Sequence, residues 1–333
     1  RHSTWALARV NGFFMAFGSG ATAYTLAHVQ SFEPPSVAVI APAHSAEIAP
    51  QKPSTTNTAK TAPPTLGGYP YAVFIWISYI APPLMVLHLL LTGQFPSLIQ
   101  LVVSPVVTIS LIGISMSVCL HRFFAHGAFS TSRPFQFFLG LLSCLAYQNG
   151  PLWWAGKHNR HHRFCDVPND PHSWLVSGWL QAWLGWTISA DEMHYDLDYI
   201  PPRFRKCPEL WVLDRLSYWV CGAACWAVAA TAGYSSMVYC CLYPMLLCRL
   251  ITLLFNVAYH PKEAKGYNPD DVKCKALNRL NRATGVLASC VGEAHHLDHH
   301  KFPARAKRPG FDLYWHVTVR WWAAVGLIGA QKR

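Results

Sequence analysis

Charged side chains are missing from two long stretches of this 333-residue chain, although its 27 Lys and Arg outnumber its 16 Asp and Glu. No Asp, Glu, Lys or Arg occurs in residues 61–121, and none occurs in residues 216–248. A helix that crosses a bilayer takes about 20 apolar residues, so each stretch has room for two crossings or nearly so. The sequence therefore predicts an integral membrane protein. Its basic excess is expected at a membrane surface, and nucleic acid is not needed to explain it.

The sequence also lacks a CxxC pair and any visible tandem repeat of fixed period. Six of the eleven cysteines lie in or beside the apolar stretches: Cys119, Cys221, Cys225, Cys240, Cys241 and Cys248. At such positions cysteine behaves as a small apolar residue. These cysteines are therefore not expected to form a disulfide framework.

The apolar pattern predicts an all-α membrane protein with four transmembrane helices in two hairpins. The first hairpin comprises residues 70–92 and 99–120, joined by the turn TGQFPS. The second comprises residues 214–233 and 236–256, joined by GYSS. Each predicted helix is near the length that a bilayer crossing requires.

The positions of Lys and Arg orient these four helices. Neither hairpin turn carries a positive charge, whereas residues 122–215 contain nine Lys or Arg and residues 257–333 contain thirteen. Cytoplasmic segments of membrane proteins are enriched in Lys and Arg. Both large polar segments are therefore expected on the cytosolic side, where they would form a helical cap.

The remaining segments are predicted to lie outside the four spans. The apolar stretch of residues 134–148 is too short for a crossing and is expected to be buried or interfacial. The tryptophans of residues 174–188 are typical of the headgroup level of a membrane. Residues 1–68 are predicted to hold a weak extra span, an interfacial helix or a targeting segment within 5–29, followed by a disordered linker. The main domain is expected over 69–333.

Histidines collect near the cytosolic ends of the predicted spans. The segment GEAHHLDHH at residues 292–300 contains four of them, and HRFFAH, KHNRHH and FNVAYH supply further groups. The candidate metal-binding histidines are His121, His126, His158, His161, His162, His260, His296, His299 and His300.

The spacing of these histidines has a structural meaning. On an α-helix, residues at i, i+3 and i+4 share one face, so each HxxHH segment is expected to present its three imidazoles together. Asn256 and His260 are four residues apart and are expected on one face. His121 and His126 are five apart, which places them off one α-helical face and predicts that His121 lies at a helix end. Nine neutral imidazoles suffice for two metal ions in four- or five-coordinate sites, and imidazole suits Fe, Zn and Cu.

The order HxxxxH, HxxHH, NxxxH and HxxHH resembles the membrane fatty acyl desaturases, specifically the acyl-CoA (stearoyl-type) branch. The stretch RPFQFFLGLLSCLAYQNGPLWWAGKHNRHHRFCDVPNDPHS resembles that family's second histidine region. The resemblance covers roughly residues 70–325. It implies an enzyme with two Fe ions that uses O2 and external electrons to introduce a cis double bond, Δ9-like, into a fatty acyl chain carried as acyl-CoA.

The resemblance also assigns roles to residues. All nine histidines correspond to the family's metal ligands, and Asn256 corresponds to the residue that holds a water on one metal. The last histidine segment departs from the family pattern, because His295, Leu297 and Asp298 replace the usual residues there, and Gly127 replaces a basic one. We expect Asp298 to orient a ligand imidazole, with a solvated surface acid as the alternative. These departures bear on the substrate head group more than on the chemistry.

The electron donor is expected to be a separate protein, because the sequence contains no HPGG haem-binding signature. Cytochrome b5 is the expected donor, or ferredoxin in a plastid or bacterium. The basic segments 203–206 and 301–308 could dock an acidic donor or contact anionic lipid. The expected membrane is the endoplasmic reticulum in a eukaryote, with a plastid membrane as the alternative.

Three other functions compete with acyl-CoA desaturation. An acyl-lipid desaturase and a fatty acyl hydroxylase would use the same histidines and differ in substrate or product. A membrane metal transporter would place its ionisable ligands within the spans, near the bilayer midplane. The predicted spans are almost free of such residues, which argues against transport.

Overall fold

The computed structural model describes residues 68–260, residue 276 and residues 283–332. The predictions for residues 1–67, namely the N-terminal helix or targeting segment and the linker, lie outside the described residues.

The described residues are almost entirely helical. The α-helices are α1 (Gly68–Leu91), α2 (Leu98–Ser110), α3 (Arg133–Cys144), α4 (Pro151–Arg163), α5 (Trp174–Ser177), α6 (Trp186–Ile188), α7 (Pro202–Arg205), α8 (Pro208–Arg215), α9 (Ser217–Ala232), α10 (Tyr234–Met237), α11 (Tyr243–Tyr259), α12 (Ala283–Cys290), α13 (His296–Lys301) and α14 (Arg320–Ala324). Segments of π-helix cover Leu111–Ala125, Gln181–Gly185, Val238–Leu242 and Trp315–Val319, and short 3-10 turns cover Ala190–Glu192 and Leu197–Tyr199.

Three of the described helical runs are long and apolar enough to cross a membrane: Tyr71–Leu91, Leu98–Ala125 and Tyr234–Tyr259. The remaining helix of the second predicted hairpin, α9, has 16 residues. At 1.5 Å per residue it is about 24 Å long, which is less than the roughly 30 Å hydrocarbon core. The structure thus has three candidate spans, and the four-span layout stays a prediction.

The turns of the two predicted hairpins lie together at one end of the molecule. Ser97 begins α2 with a capping box, since its hydroxyl accepts the N–H of Gln100 and the Gln100 side chain accepts the N–H of Ser97. The side-chain amide of Gln100 also lies 3.3 and 3.1 Å from the hydroxyls of Ser235 and Ser236. Polar side chains therefore join the TGQFPS and GYSS turns.

The histidine-bearing helices gather at the opposite end of the long helices. α2 and α11 pack against each other, and α1 packs on α11. The π-helical run Leu111–Ala125 continues α2 and packs against both α3 and α4. The α3 segment carries the apolar stretch predicted over 134–148, and it is a helix of 12 residues.

A small antiparallel sheet closes the C-terminal region onto the segment that follows His126. β1 (Phe129–Thr131) pairs with β2 (Ile328–Gln331), and Phe129 faces Gln331 in the register. The backbone N–H of Lys332 donates to the carbonyl of Ala128 at 2.9 Å. This pairing fixes residues near 330 beside the end of the second long helix.

The cysteines in the apolar helices behave as predicted. Cys119, Cys221, Cys225, Cys240, Cys241 and Cys248 are all free thiols. Most of them are buried in the apolar core.

Candidate metal centre

The end of the second long helix presents His121 and His126 on one face. The π-helix extends to Ala125, and the N–H of His126 donates to the carbonyl of His121, five residues back. A π-helix forms hydrogen bonds between residues five apart, which therefore lie closer to one face than they do in an α-helix. The two imidazole rings accordingly lie 4.9 Å apart. The expectation that His121 lies at a helix end was wrong, because it assumed α-helical geometry.

Helix α4 supplies three more imidazoles from KHNRHH. Its first turn is held by Asp214, whose carboxylate accepts the backbone N–H groups of Leu152 and Trp153 at 2.8 and 2.7 Å. His158 and His162 are four residues apart and point to the same place, with 3.0 Å between their Nε2 atoms. His161 points elsewhere, because consecutive helical residues are rotated by about 100°.

Helix α13 divides its histidines in the same way. His296 and His300, which are four residues apart, have Nε2 atoms 3.2 Å from each other. His299 lies between them in sequence and contacts His121 and His162 instead. His260 follows the last residue of α11 and meets His296, with 3.1 Å between Nε2 atoms.

All nine predicted histidines converge, and they form two adjacent clusters. The first cluster consists of His121, His126, His158, His162 and His299. The second cluster consists of His161, His260, His296 and His300, and Sγ of Cys165 lies 3.9 Å from Nδ1 of His260. Each HxxHH segment contributes to both clusters, so the expectation that its three imidazoles stay together was wrong.

The nitrogen atoms within each cluster are spaced as ligands of one ion are. In the first cluster, Nε2 of His299 lies 2.8 Å from that of His121 and 3.0 Å from that of His162. Nε2 of His158 lies 3.0 Å from that of His126. Two nitrogens bound at right angles to one ion, each about 2.1 Å from it, are about 3.0 Å apart. The observed spacings match that value.

The tautomers of three imidazoles are set by carboxylates at the outer nitrogen. Nδ1 of His121 lies 3.1 Å from Glu293, Nδ1 of His161 lies 2.9 Å from Asp170, and Nδ1 of His260 lies 2.8 Å from Asp166. A carboxylate accepts a hydrogen bond from Nδ1–H, so the lone pair of each of these rings is on Nε2 and points into its cluster. Buried lone pairs that face each other at about 3 Å repel unless a cation lies between them. The donor set therefore fits metal ions.

The three carboxylates were missed as site residues by the sequence reasoning. Asp166 and Asp170 belong to CDVPNDPHS, and Glu293 belongs to GEAHHLDHH, so all three lie within the motifs that identified the histidines. Burial alone would raise the pKa of Asp170, but His161 and the N–H of His172 hold the pKa below its usual range. Burial opposes ionisation of Glu293 too, yet His121, Arg308 and Arg122 keep its pKa well below the usual range. Asp170 and Glu293 are thus ionised acceptors.

The remaining imidazoles are held in the neutral form. Burial, reinforced by the neighbouring imidazoles, holds their pKa values well below the usual range: His126, His158, His162, His296, His299 and His300. Neutral imidazole is the form that binds metal.

The surroundings of Gly292 explain why the segment GEAHHLDHH begins with a glycine. Its φ is +79°, and a Cβ there would lie 2.6 Å from Nη2 of Arg122 and 2.7 Å from Cγ of Asp312. Arg122 and Asp312 form a fully buried ion pair at 2.6 Å. Arg122 also donates to the carbonyl of Val291 at 2.8 Å. The glycine therefore lets the chain pass over this ion pair and deliver Glu293 to His121.

A second polar network borders the first cluster on its membrane side. Trp154 stacks on His158 at 4.6 Å and donates its Nε1–H to Gln148 at 3.2 Å. Gln148 in turn donates to the hydroxyl of Thr252 on α11. These contacts fix the ring of one metal-facing histidine against the membrane-spanning helices.

Two further sequence predictions meet different outcomes. Asn256 is half-buried on α11, four residues before His260, and its role as the residue that holds a water stays a prediction. Asp298 lies 3.3 Å from Nδ1 of His295. Nδ1 of His296, His299 and His300 has no hydrogen-bond partner among the described residues, so Asp298 does not orient these imidazoles as expected.

A group of charged residues next to α4 resembles a metal site and is better described as an ion-pair network. Glu192, His194 and Asp196 lie close together. Nζ of Lys157 is 2.7 Å from Glu192 and 3.0 Å from Asp196, and Arg160 pairs with both acids. Because two cations already neutralise these carboxylates, the network has little charge left for a metal.

A cavity of about 340 Å³ lies beside this ion-pair network. It is lined by Arg160, Phe164, Asn169, Asp170, Glu192 and Tyr199.

The two basic segments predicted as docking surfaces are only partly exposed. Arg203, Lys206, Lys301 and Lys307 are exposed, and Arg203 lies over the ring of Phe204 at 4.3 Å. Arg308 is buried near Glu293 and is therefore not part of a docking surface.

Comparison with known proteins places this geometry in a family. The family model described as fatty acid desaturase matches residues 96–325. Among curated proteins, the chain is 27% identical over 209 residues to the sn-1 stearoyl-lipid 9-desaturase of Anabaena variabilis, a match covering 63% of this chain and 73% of that protein.

Two other relatives differ in the carrier of the acyl chain. The acyl-CoA desaturase of Ovis aries is 25% identical over 247 residues, covering 68% of this chain and 64% of that protein. The hex-5-enoyl-[acyl-carrier protein] acetylenase of Moorena producens is 48% identical over 60 residues, which is 18% of this chain and 19% of that protein.

Proposed function

This chain belongs to the fatty acid desaturase family, and on that basis we propose that it is an O2-dependent di-iron desaturase that introduces a cis double bond into a fatty acyl chain at a Δ9-like position. The observation that carries the proposal is the convergence of nine imidazoles into one group of five and one group of four. The two clusters lie at one end of the long helices and not within them, and this position favours an enzyme over the metal transporter considered above.

The two clusters would each hold one iron ion. The first cluster offers five Nε2 ligands and the second offers four, and the amide of Asn256 would hold a water that completes the second site. Two iron ions bound there would supply, with O2 and external electrons, the oxidising power that removal of two hydrogens from an unactivated chain requires. Redox-inert zinc cannot supply it.

The protein's own residues prepare this site in two ways. Glu293, Asp166 and Asp170 hold Nδ1 protons on three ligands, which keeps their Nε2 lone pairs directed inward. Trp154 and Gln148 cover the membrane side of the first cluster. They would exclude water from the side on which an acyl chain enters from the bilayer.

For the carrier of the acyl chain we propose coenzyme A. The second candidate is a membrane lipid, which the similarity to the stearoyl-lipid 9-desaturase of Anabaena variabilis favours. A separate cytochrome b5, or ferredoxin in a plastid or bacterium, would deliver electrons, and its acidic face would meet the exposed Lys301 and Lys307. The proposed membrane is the endoplasmic reticulum in a eukaryote, or else a plastid membrane.

Expression in a desaturase-deficient yeast tests the reaction. The fatty-acid profile and the double-bond positions would be compared for the wild type and for His296→Ala, which removes one imidazole of the second cluster. New monounsaturated acids, made by the wild type alone, are expected. Their appearance first in the acyl-CoA pool would support coenzyme A, and their appearance first in intact lipids would support the lipid carrier.

Other products would change the assignment. Hydroxylated acids in place of alkenes would convert the proposal to a hydroxylase of the same family. Absence of any new fatty acid from a well-expressed, iron-loaded wild-type protein supplied with cytochrome b5 and ferredoxin would contradict the proposal.

A further inference from the structure

Arg249 is a cation buried inside a candidate membrane span. It lies on α11 within the run Tyr234–Tyr259, and only 1% of its surface is exposed. A charged side chain in a membrane interior is costly and usually marks a functional site with a specific partner. The histidine motifs do not account for this residue.

The partners that surround Arg249 are neutral. Nη1 donates to the hydroxyl of Ser78 at 2.8 Å, and the guanidinium lies over the ring of Tyr79, 3.7 Å from its centroid. The ring of Tyr147 is 5.8 Å away. Tyr71 and Tyr218 complete a group of four neighbouring tyrosines. Among the residues that the structure describes, none forms an ion pair with Arg249.

The unused donors of Arg249 form one edge of the guanidinium. Nε and Nη2 have no hydrogen-bond partner in the described part of the chain, although both are buried. This edge is the fork that binds a carboxylate with two parallel hydrogen bonds. The same molecule shows such a pair, since Nε and Nη2 of Arg133 each lie 2.8 Å from an oxygen of Glu209.

Arg249 lies on the same face of α11 as the residues that lead to the metal centre. Asn256 and His260 follow it by seven and eleven residues, and residues at such intervals share one helical face. Eleven residues correspond to a rise of about 16 Å along the helix. Thr252, one turn beyond Arg249, joins this face to Gln148 beside the first cluster. An extended apolar chain that begins at the clusters and follows α11 into the membrane would end near Arg249.

We propose that the Nε and Nη2 fork of Arg249 binds a carboxylate that an apolar chain carries into the membrane domain. The inference rests on the proposed function, because it takes the chain to be the acyl group that passes the metal centre. The carboxylate has two sources: the far end of an acyl group that is carboxylated at both ends, or a free fatty acid that enters with its carboxylate first.

The test is equilibrium binding to the purified full-length protein in neutral detergent, without O2 or electron donor. Octadecanedioyl-CoA, which has a far-end carboxylate, is compared with stearoyl-CoA, and octadecanoate is compared with its methyl ester. We expect the wild type to prefer at least one carboxylate-bearing member of these pairs by about tenfold or more, as charge-assisted hydrogen bonds do. A preference for octadecanedioyl-CoA over stearoyl-CoA identifies the far end of an acyl group as the source of the carboxylate. A preference only for octadecanoate over its methyl ester identifies a free fatty acid as the source.

Variants connect the preference to Arg249. Arg249→Leu should abolish it, and Arg249→Lys, which retains the charge but not the fork, should reduce it. Arg133→Leu is the matched control, because it removes an exposed arginine fork and should leave the preference intact. Gel filtration and iron content confirm that each variant is folded.

Two results would overturn the proposal. One is equal binding within both pairs by the wild type, which needs no variant. The other is a preference that persists in Arg249→Leu. Desaturation of stearoyl-CoA by the wild type, measured separately with O2 and donor, shows whether the proposed function itself has failed.

Discussion

The carboxylate of Asp170 lies 2.9 and 3.0 Å from Nδ1 of His161 and also accepts the backbone N–H groups of Asp166 and His172. One buried acid thus fixes both a metal-facing ring and the loop that follows α4. Loss of the acid would free the ring to rotate and would allow the opposite tautomer. Partners of this kind typically contribute tenfold to a hundredfold to metal affinity.

Asp170→Asn is therefore expected to weaken iron binding by about tenfold to a hundredfold. Competition with a graded series of chelators would measure the affinity. Asp191→Asn is the matched control, because Asp191 is exposed and does not face either cluster. Unchanged iron affinity in Asp170→Asn would show that the hydrogen bond to His161 does not orient a ligand.

The adjacent residues His161 and His162 are expected to act on different metal ions. His162 belongs to the group of five imidazoles and His161 to the group of four. His162→Ala should lower occupancy of the first site, and His161→Ala should lower occupancy of the second. Anomalous diffraction at the iron edge would measure the two occupancies separately. Loss of the same ion in both variants would refute the division of the histidines.

Gly292→Ala is expected to destabilise the protein because of both its φ and its surroundings. Gly93→Ala is the matched control, since Gly93 has a similar φ of +73° but nothing within 4 Å of an added Cβ. The clash with Arg122 and Asp312 should cost about 1–3 kcal/mol beyond the control. Thermal unfolding in detergent would compare the two variants. Equal losses of stability would show that the loop yields to the methyl group.

Asp196 should make folding stability depend on pH at the acidic end. Burial opposes its ionisation, but His194, Lys157 and Arg160 lower its pKa to about 2. Because the folded-state pKa is depressed, this contribution is present above the ordinary pKa and is lost as the pH falls from about 4 through about 2. Asp196→Asn should cost about 2 kcal/mol at neutral pH, and the difference from wild type should shrink over that acidic range.

Unfolding measured from pH 7 to pH 2 would test this prediction. Asp198→Asn, at an exposed neighbouring acid, should leave the pH profile as it is in the wild type. A difference between wild type and Asp196→Asn that stays constant with pH would contradict the electrostatic origin.

The sequence predicted the candidate histidines because their spacing is the same in any helical arrangement. It did not predict how they are divided between the two clusters. His158 and His162 stay together since they are four residues apart, whereas His161 turns away by helical rotation. The π-helix that brings the rings of His121 and His126 together has no compositional signal, so the prediction assumed an α-helix and placed the two rings on different faces.

The carboxylates and the number of spans were harder to predict for different reasons. Asp166, Asp170 and Glu293 reach the imidazoles through loops whose path depends on tertiary packing. The charge-free stretch of residues 216–248 has room for two crossings or nearly so, and its first crossing stays a prediction because helix α9 covers only 16 residues, Ser217–Ala232. The amino-acid composition shows that a stretch is apolar, but it does not determine where a helix starts within that stretch.

The pairing of β1 with β2 has a consequence for the order of events during synthesis. His121 and His299 face each other across 178 positions of the chain, and β2 returns to the residues just after His126. His121 and His126 therefore precede His299, a member of the same cluster, by more than half of the chain. Both clusters are therefore complete only when residues 296–300 have been translated, because His299 belongs to the first cluster and His296 and His300 belong to the second.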